Sequence, residues 1–323
     1  MQLDVSISFF LLGVFATLVR ADIKFPKSLY QSLTLFLMIA IGLKGGVALS
    51  EHASWALLSQ SLYVILFGLL LPLLAFPMLY YVGQLERVDA ASIAAHYGSV
   101  SVGTYAVAVA FLEAKDIAYE AYIPLFVVLL EMPAIVIGIA LAKQPKTSPA
   151  TADVNAPSAT AQNRKKLLHE IFFNQGMVLM AGGLIIGYAA GERTQTIAPL
   201  FFDLFNGVLA LFLLEMGMVA ASRLDAIKRV GSFMLAFGVA MPLIGGILGS
   251  GLGIAMGLSA GGAVLIAVLG ASASYIAVPA AMRVVLPNAN HSLSISSSLG
   301  VTFPFNVIIG IPTYVVITQW LAN

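Results

Sequence analysis

Apolar residues fill long stretches of this chain without the one-sided stripe of a surface helix and without the alternation of a half-buried strand. Ten such runs, bounded by charges and turn residues, predict helices at about 5–19, 28–50, 54–82, 88–112, 118–142, 172–190, 197–222, 230–257, 260–284 and 292–321. A helix that is apolar all round is one enclosed by lipid or protein, and most of these runs reach the roughly 20 residues that cross a bilayer core. A membrane β-barrel would instead show short segments of alternating polarity, and these runs do not alternate. The first run is short. Its leading residues include Asp4 and no basic residue, and no small-residue cleavage pattern precedes Asp22, so it reads as a retained helix rather than a signal peptide. One segment differs in kind. Residues 144–170, QPKTSPATADVNAPSATAQNRKKLLHE, are rich in Pro, Ala, Ser and Thr and hold no apolar run. Such a composition buries too little surface to offset chain entropy and predicts a flexible linker. It divides the chain into two five-helix domains, 1–143 and 171–323.

Composition supports the membrane reading. The 323 residues are 60% hydrophobic and only 10% charged, with a mean hydropathy of +0.96, whereas a soluble domain carries about a quarter charged residues. The net charge of +1 argues against nucleic acid as a partner. The absence of cysteine excludes disulfides, cysteine metal sites and thiol catalysis. Charge also sets an orientation. Arg20, Lys24, Lys27, Arg87, Lys143, Lys146, Arg164, Lys165, Lys166, Arg223, Lys228, Arg229 and Arg283 fall in odd-numbered loops, and only Lys44, Lys115 and Arg193 fall on the opposite side. The positive-inside bias places the odd loops and the linker in the cytoplasm and both termini outside, in the inner (plasma) membrane.

The two domains resemble each other at matching places. GSVSVGTYAVAV begins at Gly98 in span four and GASASYIAVPAA at Gly270 in span nine, 172 residues on. Glu131-Met-Pro133 in span five is matched by Thr302-Phe-Pro304 in span ten at an offset of 171. More loosely, IGLKGGV (41–47) in span two matches EMGMVAA (215–221) in span seven. An odd number of spans per repeat makes the second repeat enter from the opposite face, which is the plan of many secondary transporters with substrate held near the midplane. The Gly/Ser/Thr stretches of spans four and nine predict broken helices, whose free N–H groups and positive dipole ends can hold an anion without a Lys or Arg. The alternative is that small residues serve close helix packing. Gly245, Gly249, Gly253 and Gly257, recurring every four residues in span eight, read as such a packing face within the protomer or across a dimer.

Ionisable groups deep in a span are costly and therefore functional candidates. Glu131 sits mid-span beside Pro133, which frees a backbone carbonyl, and it suits a cation ligand or proton carrier. Glu215 is a weaker candidate, and Lys44 lies close enough to the outer end of its span to snorkel. The serines Ser292, Ser294, Ser296, Ser297 and Ser298 at the start of span ten suit either sodium ligation or backbone capping. The four histidines show no metal-ligand spacing, and neither HExxH nor GxSxG occurs, so an enzyme is not expected.

At these same segments the chain resembles the cyanobacterial SbtA-type sodium-dependent bicarbonate transporters. The resemblance rests on IGLKGGVAL (41–49), GSVSVGTY through FLEAKDIAYEAY (98–122), EMPAIV (131–136), MGMVAASRL (216–224), GASASYIAVPAAMR (270–283) and PNANHSLSISSSLGVTFP (287–304), in the same order across both halves. It implies an all-α membrane protein of ten transmembrane helices in two inverted five-helix repeats, broken at helices four and nine. It also implies symport of bicarbonate with sodium, a trimeric homo-oligomer, and control by a small PII-like protein on the cytoplasmic side. No organic cofactor is expected. The implied substrate residues are Ser101, Gly103 and Thr104 in span four and Ser272, Ala273 and Ser274 in span nine, with Ser99 and Tyr275 flanking them. Glu131, Ser101, Ser274 and Ser297 form the candidate cation or coupling set. The chain departs from the family in span nine, where a Ser-Ser-Ser-Asp run is here Ser272-Ala273-Ser274-Tyr275, and a Gly-Pro-Pro is Val278-Pro279-Ala280. Span four has Val102 in place of a glycine, and Glu131 stands in place of an aspartate. A tyrosine, with an ordinary pKa of about 10, does not replace a carboxylate as sodium's charge partner. Two further readings therefore stand beside bicarbonate import: a proton-coupled permease for a small organic acid, and a membrane sensor or scaffold that does not transport.

Overall fold

The computed structural model of the chain describes residues 5–21, 23–52, 54–143, 173–223 and 231–323; the linker expected at 144–170 lies outside them. The described residues form helices and no strands. In chain order these are α1 (Val5–Leu18), α2 (Lys27–His52), α3 (Trp55–Pro77, prolonged by a π turn to Val82), α4 (Arg87–Gly98), α5 (Val102–Glu113) and α6 (Pro124–Ala142). There follow α7 (Gln175–Ala190), α8 (Phe205–Ser222), α9 (Ser232–Ala255), α10 (Ala260–Ala271), α11 (Ala277–Val285) and α12 (His291–Ser297, continuing through two π turns to Ala322). Where the sequence predicts single spans four and nine, the chain forms the pairs α4/α5 and α10/α11. Span five starts at Pro124, later than expected. Residues 115–123 carry Lys115, Asp116 and Glu120 and form turns, with Asp116 in the left-handed region at φ 52°. Span seven likewise starts at Phe205, because residues 191–203 form short 3₁₀ and π turns.

Several helix starts follow from polar caps. Ser54, Asn174, Ser259 and Asn290 each accept a hydrogen bond from the backbone N–H three residues on, satisfying a first-turn donor that has no helical partner. Among the described residues, seven helical segments are long and apolar enough to cross a membrane, with α1 and α10 as shorter apolar helices. The lipid-facing side is explicit on α3, where Leu58, Leu62, Leu66, Leu70 and Leu73 stand exposed along one face while Val64, Phe67 and Leu71 are buried behind them. Large aromatics project near the helix ends, with Trp55, Tyr188 and Trp320 toward one end and Tyr81 toward the other. That is where amphipathic rings meet a headgroup layer.

The helices gather into two bundles. In one, α2 packs against α7 and α1 against α8; in the other, α3, α4 and α6 pack together, as do α9, α10 and α12, and α5 meets α10. Glycine seams set the closest approaches. Gly42 and Gly46 of α2 lie against Gly183 and Gly187 of α7, where an added Cβ would collide with the facing backbone. On α9, Gly245, Gly249 and Gly253 run past Gly270, Ile266 and Ala263 of α10 in antiparallel register, so this stripe is a packing seam inside the protomer, while Gly257, at φ 71°, ends the helix.

Candidate functional site

The site grows from the two interruptions. Ser99 and Ser101 adopt extended backbone between α4 and α5, as does Ser272 at the end of α10. Serine favours such breaks because its hydroxyl offers the backbone an alternative partner. Ser101 Oγ accepts from the Thr104 N–H at 3.1 Å and caps α5. Ser274 Oγ accepts from the Val278 N–H at 3.3 Å, occupying a first-turn donor of α11 from two residues before its N-cap Ile276. Pro279 falls in the first turn of α11, where its missing N–H leaves no helical bond unmade.

The interruptions cross and bind one another. The Ser101 N–H donates to Ser272 Oγ at 3.0 Å, and Ser272 Oγ donates onward to the Leu269 carbonyl at 2.9 Å. In return the Ser274 N–H donates to the His96 carbonyl at 2.8 Å. The carbonyl of Ala271, at the end of α10, accepts from Asn306 Nδ2 at 2.8 Å, and Tyr314 holds Asn306 by donating to its Oδ1 at 2.8 Å. Backbone groups that a broken helix would strand in an apolar interior are thus paired.

A small cavity opens beside the crossing, walled by Met38, Ser101, Val102, Glu131, Ser274 and Tyr275 together with Val100, Ile276 and Ala277. Its volume of about 10 Å³ is room for one water. The N-termini of α5 and α11 both reach it, bringing positive dipole ends. Glu131 reaches it from α6, 2% exposed, with Oε2 lacking any hydrogen-bond partner. The Tyr275 hydroxyl is also unpartnered and lies beside Gly103, where a Cβ would meet it at 2.5 Å. One pocket therefore holds amide-rich positive ends and a carboxylate side by side. Chemically that offers partners to both an anion and a cation, in a space that as it stands admits one water-sized occupant.

Of the sequence-derived candidates, Ser101, Ser274, Tyr275 and Glu131 share this cavity, and Ser272, Ala273, Gly103 and Thr104 form the crossing around it. Ser99 is buried next to it, with an unpartnered hydroxyl. Ser297 stands apart, in contact with the Tyr97 hydroxyl at 2.6 Å; Tyr97 also meets Thr302 Oγ1 at 2.7 Å, and Thr302 donates to the Gly238 carbonyl at 2.7 Å. Ser294 faces Ser92 at 3.5 Å and Ser298 donates to the Ser294 carbonyl. This part of the serine cluster thus bonds to α4 and to its own helix. Glu215 is half-buried on α8, outside the cavity walls. The sequence did not reveal Met38 or Asn306; an Asn inside an apolar span is the signal that marks the latter.

Access is unequal at the two ends. A vestibule of about 310 Å³ is lined by Tyr30, Thr34, Gln175, Pro279 and Arg283, among others, and shares Met38, Tyr275 and Ile276 with the small cavity. Its mouth is at the Lys/Arg-rich end of the helices. Toward the other end, the path between α2 and α5 is packed with Ile41, Tyr105, Val109 and Phe205, leaving about 40 Å³ beneath Lys44. Lys44 Nζ lies 3.5 Å from Glu113 Oε1 and 5.1 Å over the Phe205 ring.

No curated protein matches the chain. Its apolar helices make it a multi-pass membrane protein, and its family is one of transporters rather than enzymes. Residues 6–319 match the family model of the Na+-dependent bicarbonate transporter superfamily, and the chain belongs to that superfamily.

Proposed function

We propose that this protein is a secondary transporter importing bicarbonate together with sodium, built as ten spans in two inverted five-helix repeats, 1–143 and 171–323, joined by the cytoplasmic segment 144–170. The observation that carries the reading is the cavity where two helix N-termini, two serine hydroxyls and the Glu131 carboxyl converge. Half-helix N-termini hold the anion, and Glu131 with the hydroxyls of Ser101 and Ser274 and nearby carbonyls holds the cation. Glu131 supplies the negative charge that Tyr275 does not.

The repeat is supported by the packing. Gly46 and Gly217 are 171 residues apart, the offset of the Glu131/Thr302 match, three short of the 174 at which IGLKGGV (41–47) and EMGMVAA (215–221) align. Gly46 meets the backbone of α7 and Gly217 that of α1, so α2 and α8 each bind the first helix of the opposite half. With the Lys/Arg-rich end in the cytoplasm and both termini outside, the vestibule opens inward, and alternating access comes from one bundle moving against the other. By the resemblance, the protein assembles as a homotrimer in the inner membrane and accepts a PII-like regulator on its cytoplasmic face.

A second reading, proton-coupled uptake of a small organic acid, draws on the single carboxyl in the cavity. Labelled bicarbonate uptake into proteoliposomes separates the two. Accumulation driven by an inward sodium gradient, and not by a proton gradient alone, is the expected result. Folded, inserted protein that accumulates nothing in either gradient would overturn bicarbonate import and direct the search to organic acids.

A further inference from the structure

We propose that Lys44 is the entry site for the substrate anion on the outer face, and that Glu113 occupies it as a built-in mimic of that anion while the vestibule is open inward. The inference rests on the transport reading above and adds to it the residue that first meets the substrate.

The pair crosses the boundary between the bundles. Lys44 stands on α2 and rests on Phe205 of α8, both in the first bundle, whereas Glu113 ends α5 in the second. Lys44 and Glu113 are each about one-third exposed, 33% and 34%, so solutes reach them from the aqueous side. Beneath them, Ile41 and Met38 on α2, and Val109, Tyr105 and Ser101 on α5, lead to the small cavity. Closing that path therefore closes this approach to the site from the outer end.

Bicarbonate and a glutamate side chain share a planar O–C–O anion, so a lysine that holds one holds the other. The ammonium is a compact point charge with rotatable donors and imposes no fixed fork geometry, which suits exchange between partners. The strength of the tie suits exchange as well, since an ion pair with both partners one-third exposed is held only weakly. Glu113 is not stranded when Lys44 leaves. Tyr119 donates to its Oε1 at 2.8 Å, and burial, then the nearby Glu113 carboxylate, pushes the Tyr119 phenol up, so the donor keeps its proton at neutral pH. The other cations of this end are placed differently: Lys115 lies 6.0 Å from the centre of the Phe111 ring, and Arg193 follows α7.

Because the chain has no cysteine, a single Val109→Cys substitution reports on the path. Val109 is 5% exposed and lines the space below Lys44. In that background a membrane-impermeant maleimide is applied from the outer side, and bicarbonate KM is measured in parallel. Lys44→Gln and Glu113→Gln are both expected to raise labelling, by up to about fivefold for loss of such a pair. KM should rise in Lys44→Gln and fall or stay level in Glu113→Gln, while Lys44→Arg preserves both readouts. Added bicarbonate should raise labelling of the Val109→Cys parent and leave that of Lys44→Gln unchanged. Labelling indifferent to both variants and to bicarbonate, with uptake intact, overturns the entry site alone. A parallel KM change in both variants also overturns it and reduces the pair to a structural tie. Bicarbonate-dependent labelling without uptake overturns the transport reading and leaves the entry site standing.

Discussion

In the proposed mechanism Glu131 carries the charge of the cavity. A carboxyl at 2% exposure with one oxygen unpaired is costly unless a cation or a proton completes it. Glu131→Gln keeps the shape and removes the charge, so gradient-driven bicarbonate uptake should be abolished while the detergent-solubilised protein still elutes as a single folded species. Full uptake in that variant would remove Glu131 from the mechanism. Tyr275 offers the converse test. Tyr275→Asp places a second carboxyl in the same cavity, where without a counter-ion it destabilises the fold. The melting temperature of that variant should fall in potassium and recover in sodium, whereas the parent should respond less to the exchange. Of the candidates, Glu131 was legible in the sequence as a buried acid, because it stands near a proline in the middle of an apolar run. Ser297 was not, since nothing in a run of serines tells which hydroxyl faces a cavity and which faces Tyr97. That distinction depends on helix rotation, which the all-round apolarity of a membrane helix leaves unmarked.

At the scale of elements, the decisive contacts are made by backbone. The α9–α10 seam brings Gly249 against the Ile266 carbonyl and Gly253 against Ala263. Gly249→Val therefore forces the helices apart and should cost roughly 1–3 kcal/mol or more, read as a lower melting temperature in detergent. An unchanged melting temperature would show that α9 is free to shift. Tyr97→Phe removes a hydroxyl shared by Ser297 and Thr302 and should cost about 1–3 kcal/mol by the same assay, because two buried polar groups lose a partner. The spans were readable to within a few residues over most of the chain, since hydrophobic length is what a bilayer selects. The starts of α6 and α8 were harder to place, because charged or polar turns there sit next to apolar residues that extend the run without extending the helix. The breaks in spans four and nine were readable from Ser and Gly, but their mutual crossing was not. Ser101 N–H meeting Ser272 Oγ is a contact between residues 171 apart; the repeat marks the two segments as counterparts, but which donor meets which acceptor depends on how the breaks cross.

For the whole molecule, the proposed halves 1–143 and 171–323 meet in both bundles, since α2 packs on α7, α1 on α8 and α5 on α10. Residues 1–143 and 171–323 expressed together as separate chains should co-purify and restore uptake, while either half alone should be degraded or aggregate; failure of the co-expressed halves to associate would show that the tether itself is required. The outcome turns on the crossing, and it carries a corollary. A five-span chain standing alone would leave the Ser101 N–H and the His96 carbonyl unmatched in mid-bilayer, where such groups cost several kcal/mol. Under the proposed inverted repeat, a lone half would find those partners only in a second copy inserted the other way round, so a single-repeat form is expected to work only if its Lys and Arg are shared evenly enough between its two faces to let it insert in both directions.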